Sequence, residues 1–358
     1  MNNFPFFFCF FLCCVGYACI FINLFFLLTI PFLIYFLFTI KIWKQKKFVS
    51  VLIIFSIFIG LTLIFRPYFL TYQLSDKIDK LLHWSLRSKI NDFFNQSYDA
   101  KLASFIKLVL LNKKDNNIYK FYNQAVSLGI VWMITISGFH LHTLTMCLRF
   151  ILKKVKIVRT LFPMLVIIFY LYLLNFSYSC TRVVLVFFFT SIFKKVILSK
   201  FNILGLVGLI IIFFNPVAIN NYGFVLSILG CVGLYYISEL KINNLFLEKF
   251  LINVVVCFLS LPIIVTMNKS LSLFVVMNCF IFTYFFVFLY FYFLLFAWIP
   301  FLVILHQAVV YFVYLLLASF DFFNQVLRFN NIHPLFWASY YYVLSMVALL
   351  IKYKTDKL

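Results

Sequence analysis

A serine, a glycine and two histidines interrupt a strongly apolar stretch at Ile136-Ser137-Gly138-Phe139-His140-Leu141-His142. Ser137 and His140 share one face of a helix, whereas His142 points elsewhere. A serine with a histidine suggests nucleophilic catalysis, so an intramembrane hydrolase is one candidate function. Catalysis is disfavoured because two side chains on one helical turn rarely aim at one substrate, and no acid stands nearby to orient the histidine. The alternatives are a polar path and plain helix packing, in which Ser137 bonds its own backbone and Gly138 admits a neighbouring helix.

Arg182 is the second polar group with chemical potential, because Ser179-Cys180-Thr181-Arg182 opens another apolar run. One interpretation is an arginine at a helix end that extends its head group to the membrane surface. The other is a fixed positive charge in the mouth of a pore, where a planar guanidinium binds two phosphate oxygens at once.

Small and polar residues also recur further along the chain. Pro216 is expected to end one helix, and Gly223 and Ser227 then offer a small face for tight helix packing. Pro262 lies within a later apolar run, and Asn278 lies deep in the next one. Ionisable and polar groups at membrane depth are costly, which makes all of them candidates for a functional site.

The elements that position these groups are membrane helices. Of the 358 residues, 66% are hydrophobic and 11% are charged, with a mean hydropathy of +1.09. Soluble domains contain about 45 to 50% apolar residues, and a membrane helix needs about 20 in succession. The composition predicts an all-α, polytopic helical membrane protein with about 10 to 12 transmembrane helices.

Charge patterning orders these helices. The chain carries 30 Lys plus Arg against 9 Asp plus Glu, a formal net charge of +21, and basic loops mark the cytoplasmic side. Such loops are predicted at residues 41–47, 149–159 and 194–200. We expect N-terminal transmembrane helices in residues 1–70, an external amphipathic segment in 71–130, a transmembrane domain in 131–351 and a basic tail in 352–358.

Within the external segment, apolar residues recur at steps of three and four from Leu74 to Phe94. This period is typical of an amphipathic helix, here near residues 74–94 and N-capped by Ser75, that lies along the membrane surface. Further spans are predicted near residues 160–175, 180–193, 201–214, 222–240, 250–267, 271–298, 301–318 and 335–351.

The nine cysteines are scattered through apolar runs, with no CxxC pair and no spacing typical of a metal site. They are interpreted as small buried apolar residues. The chain also has no Gly-rich phosphate-binding loop, so we expect no cofactor, no bound metal and no ATP-driven step within it.

The order of the polar elements resembles the ComEC-type competence proteins, a family of membrane channels for bacterial DNA uptake, across roughly residues 75 to 290. The family's Gly and Ile-Ser-Gly-hydrophobic-His motif is similar to Gly129 and the run Ile136 to His140. Its Ser-x-x-Arg is similar to Ser179 with Arg182. Its Gly-Phe-x-Leu-Ser block, its Leu-Pro and its Asn resemble Gly223 to Ser227, Leu261-Pro262 and Asn278.

Four positions depart from the family pattern. Trp132 stands where a His is usual, Asn112 where a Gly is usual, Asn215 where an acid is usual and Val225 where a Gln is usual. Any role that the family assigns to those groups is therefore not carried over. The spacing after Phe65 and the length of the chain predict a shortened form, without the external β-barrel and the metallo-β-lactamase-like domain of larger relatives.

The resemblance implies a non-enzymatic permease in a bacterial plasma membrane that translocates single-stranded DNA into the cytoplasm. The expected channel or DNA-path residues are Ser137, Gly138, His140, Arg182, Gly223, Ser227 and Asn278. The expected partners are single-stranded DNA, the lipid bilayer, and separate motor and DNA-receptor proteins, and a homo-oligomer is compatible with the sequence. The alternatives are a secondary transporter for a small anion, supported by broken helices at Pro216 and Pro262, the Ser/His hydrolase, and a remnant without transport activity.

Overall fold

The computed structural model describes residues 14, 85–134, 138–153, 158–192, 199–215, 218–219, 221–240, 242–329, 340 and 343–344. The predicted N-terminal spans, the basic tail and most of the span predicted near 335–351 therefore lie outside the described residues. The same holds for residues 74–84 of the predicted amphipathic helix.

The described elements are nearly all helical. In chain order they are α1 (Leu86–Ser97), α2 (Ala100–Leu111), a 3-10 turn (Asn116–Ile118), α3 (Tyr119–Ser127), α4 (Val131–Ile134), α5 (Gly138–Ile151), α6 (Val158–Leu173), α7 (Tyr178–Ile192), α8 (Lys200–Phe214), α9 (Tyr222–Glu239), α10 (Leu245–Asn268), β1 (Ser270–Ser272), α11 (Val275–Phe296), a 3-10 turn (Pro300–Leu302), α12 (Val303–Phe322) and β2 (Val326–Arg328).

The chain divides into two compact units. The first comprises Met1–Thr71, Leu185–Pro262 and Asn330–Leu358, and the second comprises Tyr72–Val184 and Ile263–Phe329. In the first unit α8 packs against α9. In the second unit α2 packs against α11 and α12, α3 packs against α12, and α5 packs against α6.

The all-α membrane class predicted from composition is confirmed. Four of the described helices are long and apolar enough to cross a membrane: Tyr222–Glu239, Leu245–Asn268, Val275–Phe296 and Pro300–Phe322. Three further apolar helices are shorter, at Leu161–Leu173, Tyr178–Ser191 and Lys200–Phe214. The helices predicted between residues 160 and 318 are found within a few residues of their expected bounds. The total of 10 to 12 spans includes segments outside the described residues and stays a prediction.

Exposed apolar side chains cover the outer faces of these helices. Leu165 on α6 is 65% exposed, Phe288 on α11 is 71% exposed and Ile304 on α12 is 78% exposed. Such faces suit contact with lipid, because hydrocarbon tails solvate apolar side chains as well as a protein core does.

The helix predicted near residues 74–94 does not run unbroken through Ser85. Ser85 has an extended backbone and its hydroxyl accepts from the N–H of Ser88 at 3.3 Å, so it is the N-cap of α1. The helix then runs to Ser97, beyond the predicted end near residue 94. A capping hydroxyl satisfies one of the free N–H groups of a first turn, which explains why a helix starts at this serine.

Helix α2 lies within the segment predicted to be external and amphipathic, but it is a buried element of the second unit. All residues from Leu102 to Leu110 are buried. Phe105 meets the ring of Phe121 at 5.1 Å and that of Phe293 at 5.8 Å between centroids, and Tyr314 lies 5.1 Å from Phe121. These aromatic contacts join α2, α3, α11 and α12 in one core.

The connection between α1 and α2 is tied to the far end of α11. The Tyr98 hydroxyl donates to the carbonyl of Ala297 at 2.8 Å. Burial raises the pKa of Tyr98 above its ordinary value, and the nearby Tyr292 raises this pKa further. The phenol therefore stays a neutral donor at physiological pH.

Candidate functional site

Gly138 on α5 and Arg182 near the start of α7 are in direct contact. A Cβ added to Gly138 would lie 2.6 Å from Cγ2 of Val183 and 2.7 Å from Nη2 of Arg182, with the carbonyl oxygen of Ser179 at 3.5 Å. Only glycine fits there without displacing a neighbour. The guanidinium of Arg182 therefore lies against the backbone of α5.

The turn before α7 places Arg182 at this contact. The N–H of Phe176 donates to the carbonyl of Leu171, and the N–H of Asn175 donates to that of Tyr172. These are the two bonds of a Schellman ending, and Asn175, at φ 54°, has the left-handed conformation that such an ending requires. Thr181 then donates its hydroxyl to the carbonyl of Ser177 at 3.0 Å, which secures the first turn of α7.

Arg182 itself is buried, with 7% of its surface exposed. The first interpretation of Arg182, in which its head group extends to the membrane surface, is therefore wrong. Arg149 and Arg182 both lie within electrostatic range of His142. A desolvated guanidinium interacts more strongly with an anion than an exposed one does, because the local dielectric constant is lower.

His140 and His142 face different directions, as their spacing predicts. His140 is buried at 4% exposure, whereas His142 is exposed. The His140 ring donates to the backbone carbonyl of Phe286, and its edge meets the ring of Tyr290 at 5.1 Å between centroids. This arrangement fixes the imidazole between α5 and α11.

A line of buried aromatic groups continues from His140. The ring of Tyr290 meets that of Tyr170 edge-on at 6.3 Å. The Tyr170 hydroxyl donates to the carbonyl of Leu110 at 2.7 Å. His140, Tyr290 and Tyr170 therefore connect α5, α11, α6 and the end of α2 through buried polar side chains.

The turn at Leu128 and Gly129 and the first turn of α11 form a second close contact between motifs that are distant in sequence. Gly129, at φ 74°, occupies the left-handed position of a Schellman ending after α3. A Cβ on this glycine would lie 2.7 Å from Cγ2 of Val275. The Asn278 amide donates to the carbonyl of Leu128 at 3.1 Å, 150 residues away in the chain.

Asn278 belongs to a polar clasp, which we define as Ser127, Ser272, Asn278, Asp321 and Asn324. Asn324 donates to the carbonyl of Ser127 at 3.0 Å, and the Ser127 hydroxyl donates to Asp321 at 2.6 Å. The Ser272 hydroxyl donates to Asn324, and the Asn278 amide approaches Ser272 at 3.4 Å. The clasp fastens the end of α3 to α11, to α12 and to the β1–β2 pair, which is antiparallel with Leu271 opposite Leu327.

Gly223 and Ser227 lie in the first unit, on α9. The prediction that they form a tight packing face is wrong for Gly223, which is exposed; of the residues that the structure describes, its added Cβ would meet only the N-cap Asn221, at 3.0 Å. The close approach of α9 to α10 occurs at Gly233, where a Cβ would lie 3.1 Å from Val256. The Ser227 Oγ is buried and has no hydrogen-bond partner among the described residues.

The structure thus brings Gly138 to Arg182 and Asn278 to the turn at Gly129. Ser137 lies outside the described residues, so its expected role stays a prediction. Among the described residues, no group of three or more His, Cys, Asp and Glu side chains could hold a metal ion, and four of the six described cysteines are buried.

A buried ion pair in the second unit was missed by the sequence analysis. Lys107 on α2 is 5% exposed and pairs with the carboxylate of Asp115. Its ammonium also donates to Asn95 at 2.9 Å, and the Ser104 hydroxyl lies 3.3 Å from the same carboxylate. The available signal was a lysine inside the apolar run Leu102 to Leu111, where an unpaired charge is costly.

Comparisons with known proteins agree with the fold. A family model described as "Competence protein" matches residues 110–354. The uncharacterized protein MG316 of Mycoplasma genitalium is 30% identical over 198 residues, which cover 55% of this chain and 52% of the relative. Its homolog in Mycoplasma pneumoniae is 29% identical over 198 residues, with the same coverage. The chain spans about half the length of these curated relatives, and no solved structure matches it.

The family match covers well over half of the chain, including the Gly138–Arg182 contact and the hydrogen bond from Asn278 to the turn at Gly129. The family match and the four apolar helices long enough to cross a membrane make the chain a multi-pass protein of the plasma membrane. The chain belongs to the competence protein family, a family with a role in DNA uptake.

Proposed function

We propose that this protein is a permease that passes a single DNA strand through the plasma membrane into the cytoplasm. The observation that carries the proposal is the buried Arg182 guanidinium, held against Gly138 inside the region that matches the family. Arg182 would bind the phosphates of the strand, and Gly138 would keep the guanidinium in place.

The physical problem for such a protein is the charge of its cargo. Each nucleotide carries one negative phosphate, and a charge in hydrocarbon is strongly disfavoured. A guanidinium offers a planar pair of N–H donors to two phosphate oxygens. Because Arg182 is already shielded from water, each contact with a phosphate would be electrostatically stronger than at an exposed site. The phosphates of the passing strand would also replace part of the solvation that the guanidinium lost on burial.

The other predicted residues of the second unit would act around this charge. His140 would offer a hydrogen bond to the strand once its ring releases the Phe286 carbonyl, and Ser137 would add neutral polar surface. On the first unit, Ser227 would offer neutral polar surface to the strand, and Gly223 would leave room for it. Asn278 would act indirectly, through the clasp that sets the position of the chain entering α4. Energy for transport would come from a separate motor protein, and a separate receptor would deliver the DNA.

The proposal is tested by uptake of labelled DNA into a deletion strain of the host complemented with variants. Arg182→Ala should reduce uptake at least tenfold, because the phosphate contact and its charge are both lost. Arg182→Lys should retain part of the activity, because the charge remains while the two-point contact is lost. Arg328→Ala is the matched control, since Arg328 lies on the exposed strand β2.

Membrane levels of each variant are measured by an epitope tag, which separates loss of transport from loss of the protein. Normal DNA uptake by Arg182→Ala at wild-type levels would overturn the proposal. Unchanged DNA uptake together with reduced uptake of phosphate or another small anion would favour the anion transporter. A proteolytic or lipolytic activity that disappears in Ser137→Ala would favour the hydrolase.

A further inference from the structure

An exposed surface of lysine, tyrosine and asparagine side chains follows the buried helix α2. We define the basic-aromatic surface as Lys113, Lys114, Tyr119, Lys120 and Asn123, all of which are exposed. Tyr119 is 67% exposed, which is a large value for an aromatic residue in an apolar protein. None of these five residues belongs to the proposed path through the membrane.

The fold presents these side chains on one side of a short helix. Ile118 and Phe121 are buried to 1% and 0% exposure, and Ala125 is buried to 0%. They anchor the 3-10 turn and α3 to the core. Tyr119, Lys120 and Asn123 occupy the opposite side of the helix, because Asn123 is four positions after Tyr119 and three after Lys120, and residues at these spacings are neighbours on a helix surface.

The basic-aromatic surface carries a net positive charge, because the carboxylate of its neighbouring acidic residue is paired with a buried lysine. Asp115 is the acidic residue of the segment 112–127, and its carboxylate pairs with the buried Lys107. The outward-facing lysines therefore lack a compensating carboxylate within the segment. Lys113 donates to the Asn91 amide oxygen at 3.0 Å, and the Lys114 ammonium lies 4.1 Å from the centroid of the Tyr122 ring. These neutral partners hold two lysines in place without cancelling their charge.

We propose that the basic-aromatic surface binds single-stranded nucleic acid, with the three lysines on the phosphates and Tyr119 stacked on a base. Spaced positive charge plus an exposed aromatic ring is the combination that binds single strands without sequence preference. The identification of the strand as DNA rests on the proposed function. On that basis, and with residues 71–130 on the external side as the charge pattern predicts, the surface would receive the strand before it reaches Arg182.

Membrane headgroups are the competing ligand, and the exposed residues disfavour them. A helix that lies in a bilayer surface presents Leu, Phe or Trp toward the acyl chains. Within residues 112–127, all of which the structure describes, the exposed side chains are Lys113, Lys114, Asn116, Asn117, Tyr119, Lys120 and Asn123. None is aliphatic. The amides and the single tyrosine suit base edges and a base face better than hydrocarbon.

The test is binding of a fluorescein-labelled oligothymidylate to the full chain in nanodiscs of phosphatidylcholine, followed by anisotropy over a salt series. The triple variant Lys113→Ala, Lys114→Ala, Lys120→Ala should weaken binding by about tenfold or more and reduce the salt slope by about 2, as expected for three lost phosphate contacts on a single strand. Tyr119→Ala should weaken binding by about fivefold or more, whereas Tyr119→Trp should retain it, because stacking needs only an aromatic face.

The matched control is Lys153→Ala, Lys200→Ala, Lys249→Ala, which removes the same charge from exposed lysines elsewhere. Equal weakening in the control and the test variant would overturn the proposal and indicate attraction by net charge alone. Unchanged binding in the test variant would also overturn it.

Amine labelling followed by mass spectrometry distinguishes the two ligands. Protection of Lys113, Lys114 and Lys120 by the oligothymidylate in phosphatidylcholine nanodiscs is the expected result. Protection by phosphatidylglycerol nanodiscs, with none from the oligothymidylate, would overturn the proposal and assign the surface to headgroups.

Failure of this inference is distinguishable from failure of the proposed function. If the triple variant binds normally while Arg182→Ala abolishes uptake in cells, only the basic-aromatic surface is wrongly assigned. If the surface binds the strand in nanodiscs while Arg182→Ala takes up DNA normally, the permease proposal fails and the binding surface stands.

Discussion

The Nη2 atom of Arg182 lies 2.7 Å from the point at which a side chain on Gly138 would begin. The observed position of the Arg182 side chain therefore requires glycine at residue 138. The two residues form one structural feature although they belong to separate motifs. The Schellman ending at Asn175 sets the start of α7, and Gly138 is the first described residue of α5. A buried positive charge results near the start of α7, beside the backbone of α5.

Gly138→Ala is expected to disrupt this contact. The new Cβ would meet Cγ2 of the stiff Val183 side chain at 2.6 Å and displace the guanidinium. We expect a loss of about 1 to 3 kcal/mol in stability, as for overpacking in a core, and at least a tenfold loss of DNA uptake. The measurements are the midpoint of thermal aggregation in detergent and the uptake assay.

Gly230→Ala is the matched control for that substitution. Its Cβ would meet nothing nearer than Cγ1 of Val256, at 4.0 Å, and alanine favours a helix over glycine by about 0.5 to 1 kcal/mol. The control should therefore be neutral or stabilising. The double variant Gly138→Ala, Val183→Ala should recover part of the stability, and no recovery would argue against the steric explanation.

Asn278→Ala should loosen the polar clasp. The substitution leaves the buried carbonyl of Leu128 without its amide donor and removes a neighbour from Ser272. An unsatisfied buried group of this kind costs about 1 to 3 kcal/mol. Asn253→Ala is the control, because within the described part of the chain that amide bonds only to the Lys249 carbonyl of its own helix, at 3.0 Å. Equal thermal midpoints for the two variants would contradict the role of the clasp.

The Lys107–Asp115 pair should respond asymmetrically to truncation. Asp115→Ala leaves a buried ammonium with only the Asn95 amide, at a cost of about 3 kcal/mol or more. Lys107→Met should cost less, because the Asp115 side chain is 23% exposed and water can solvate its carboxylate. A thermal double-mutant cycle with both substitutions measures the coupling, and strictly additive losses would show that the pair does not interact.

Asn112→Gly should stabilise the protein by up to about 1 kcal/mol. Asn112 ends α2 at φ 55°, a left-handed conformation that is strained for most side chains but free for glycine. Asn112→Val should be destabilising, because a β-branched residue tolerates this conformation poorly. If both variants melt at the wild-type temperature, residue 112 is not held in the left-handed conformation in solution, and the prediction is wrong.

The same cap explains one departure from the family pattern. Glycine is usual at this position in the family that the sequence resembles, and asparagine is the residue that best tolerates a left-handed backbone after glycine. The substitution therefore preserves a helix ending, which a comparison of side-chain polarity alone does not reveal.

Local features made most of the helices predictable. A membrane helix is defined by the length of its apolar run, so α6 to α12 lie close to their predicted bounds. The separation of His140 from His142 followed from helical period alone. Helix α2 was not predicted, because Lys101 and Lys107 interrupt its apolar pattern and the buried partner of Lys107 comes from a later loop. The break at Ser85 was not predicted, because the apolar period continues through this serine while the capping geometry starts a new helix there.

The sequence by itself determined the membrane class, the order of the helices and the family, since apolar length, charge asymmetry and ordered short motifs are properties of contiguous residues. Only the tertiary structure decided that Gly138 meets Arg182, that Asn278 holds the turn at Gly129 and that Gly233, not Gly223, is the close contact of α9. These are contacts between residues far apart in the chain. Their physical basis is the packing of one helix on another, which fixes the rotation and depth of each helix and is not encoded in any single segment.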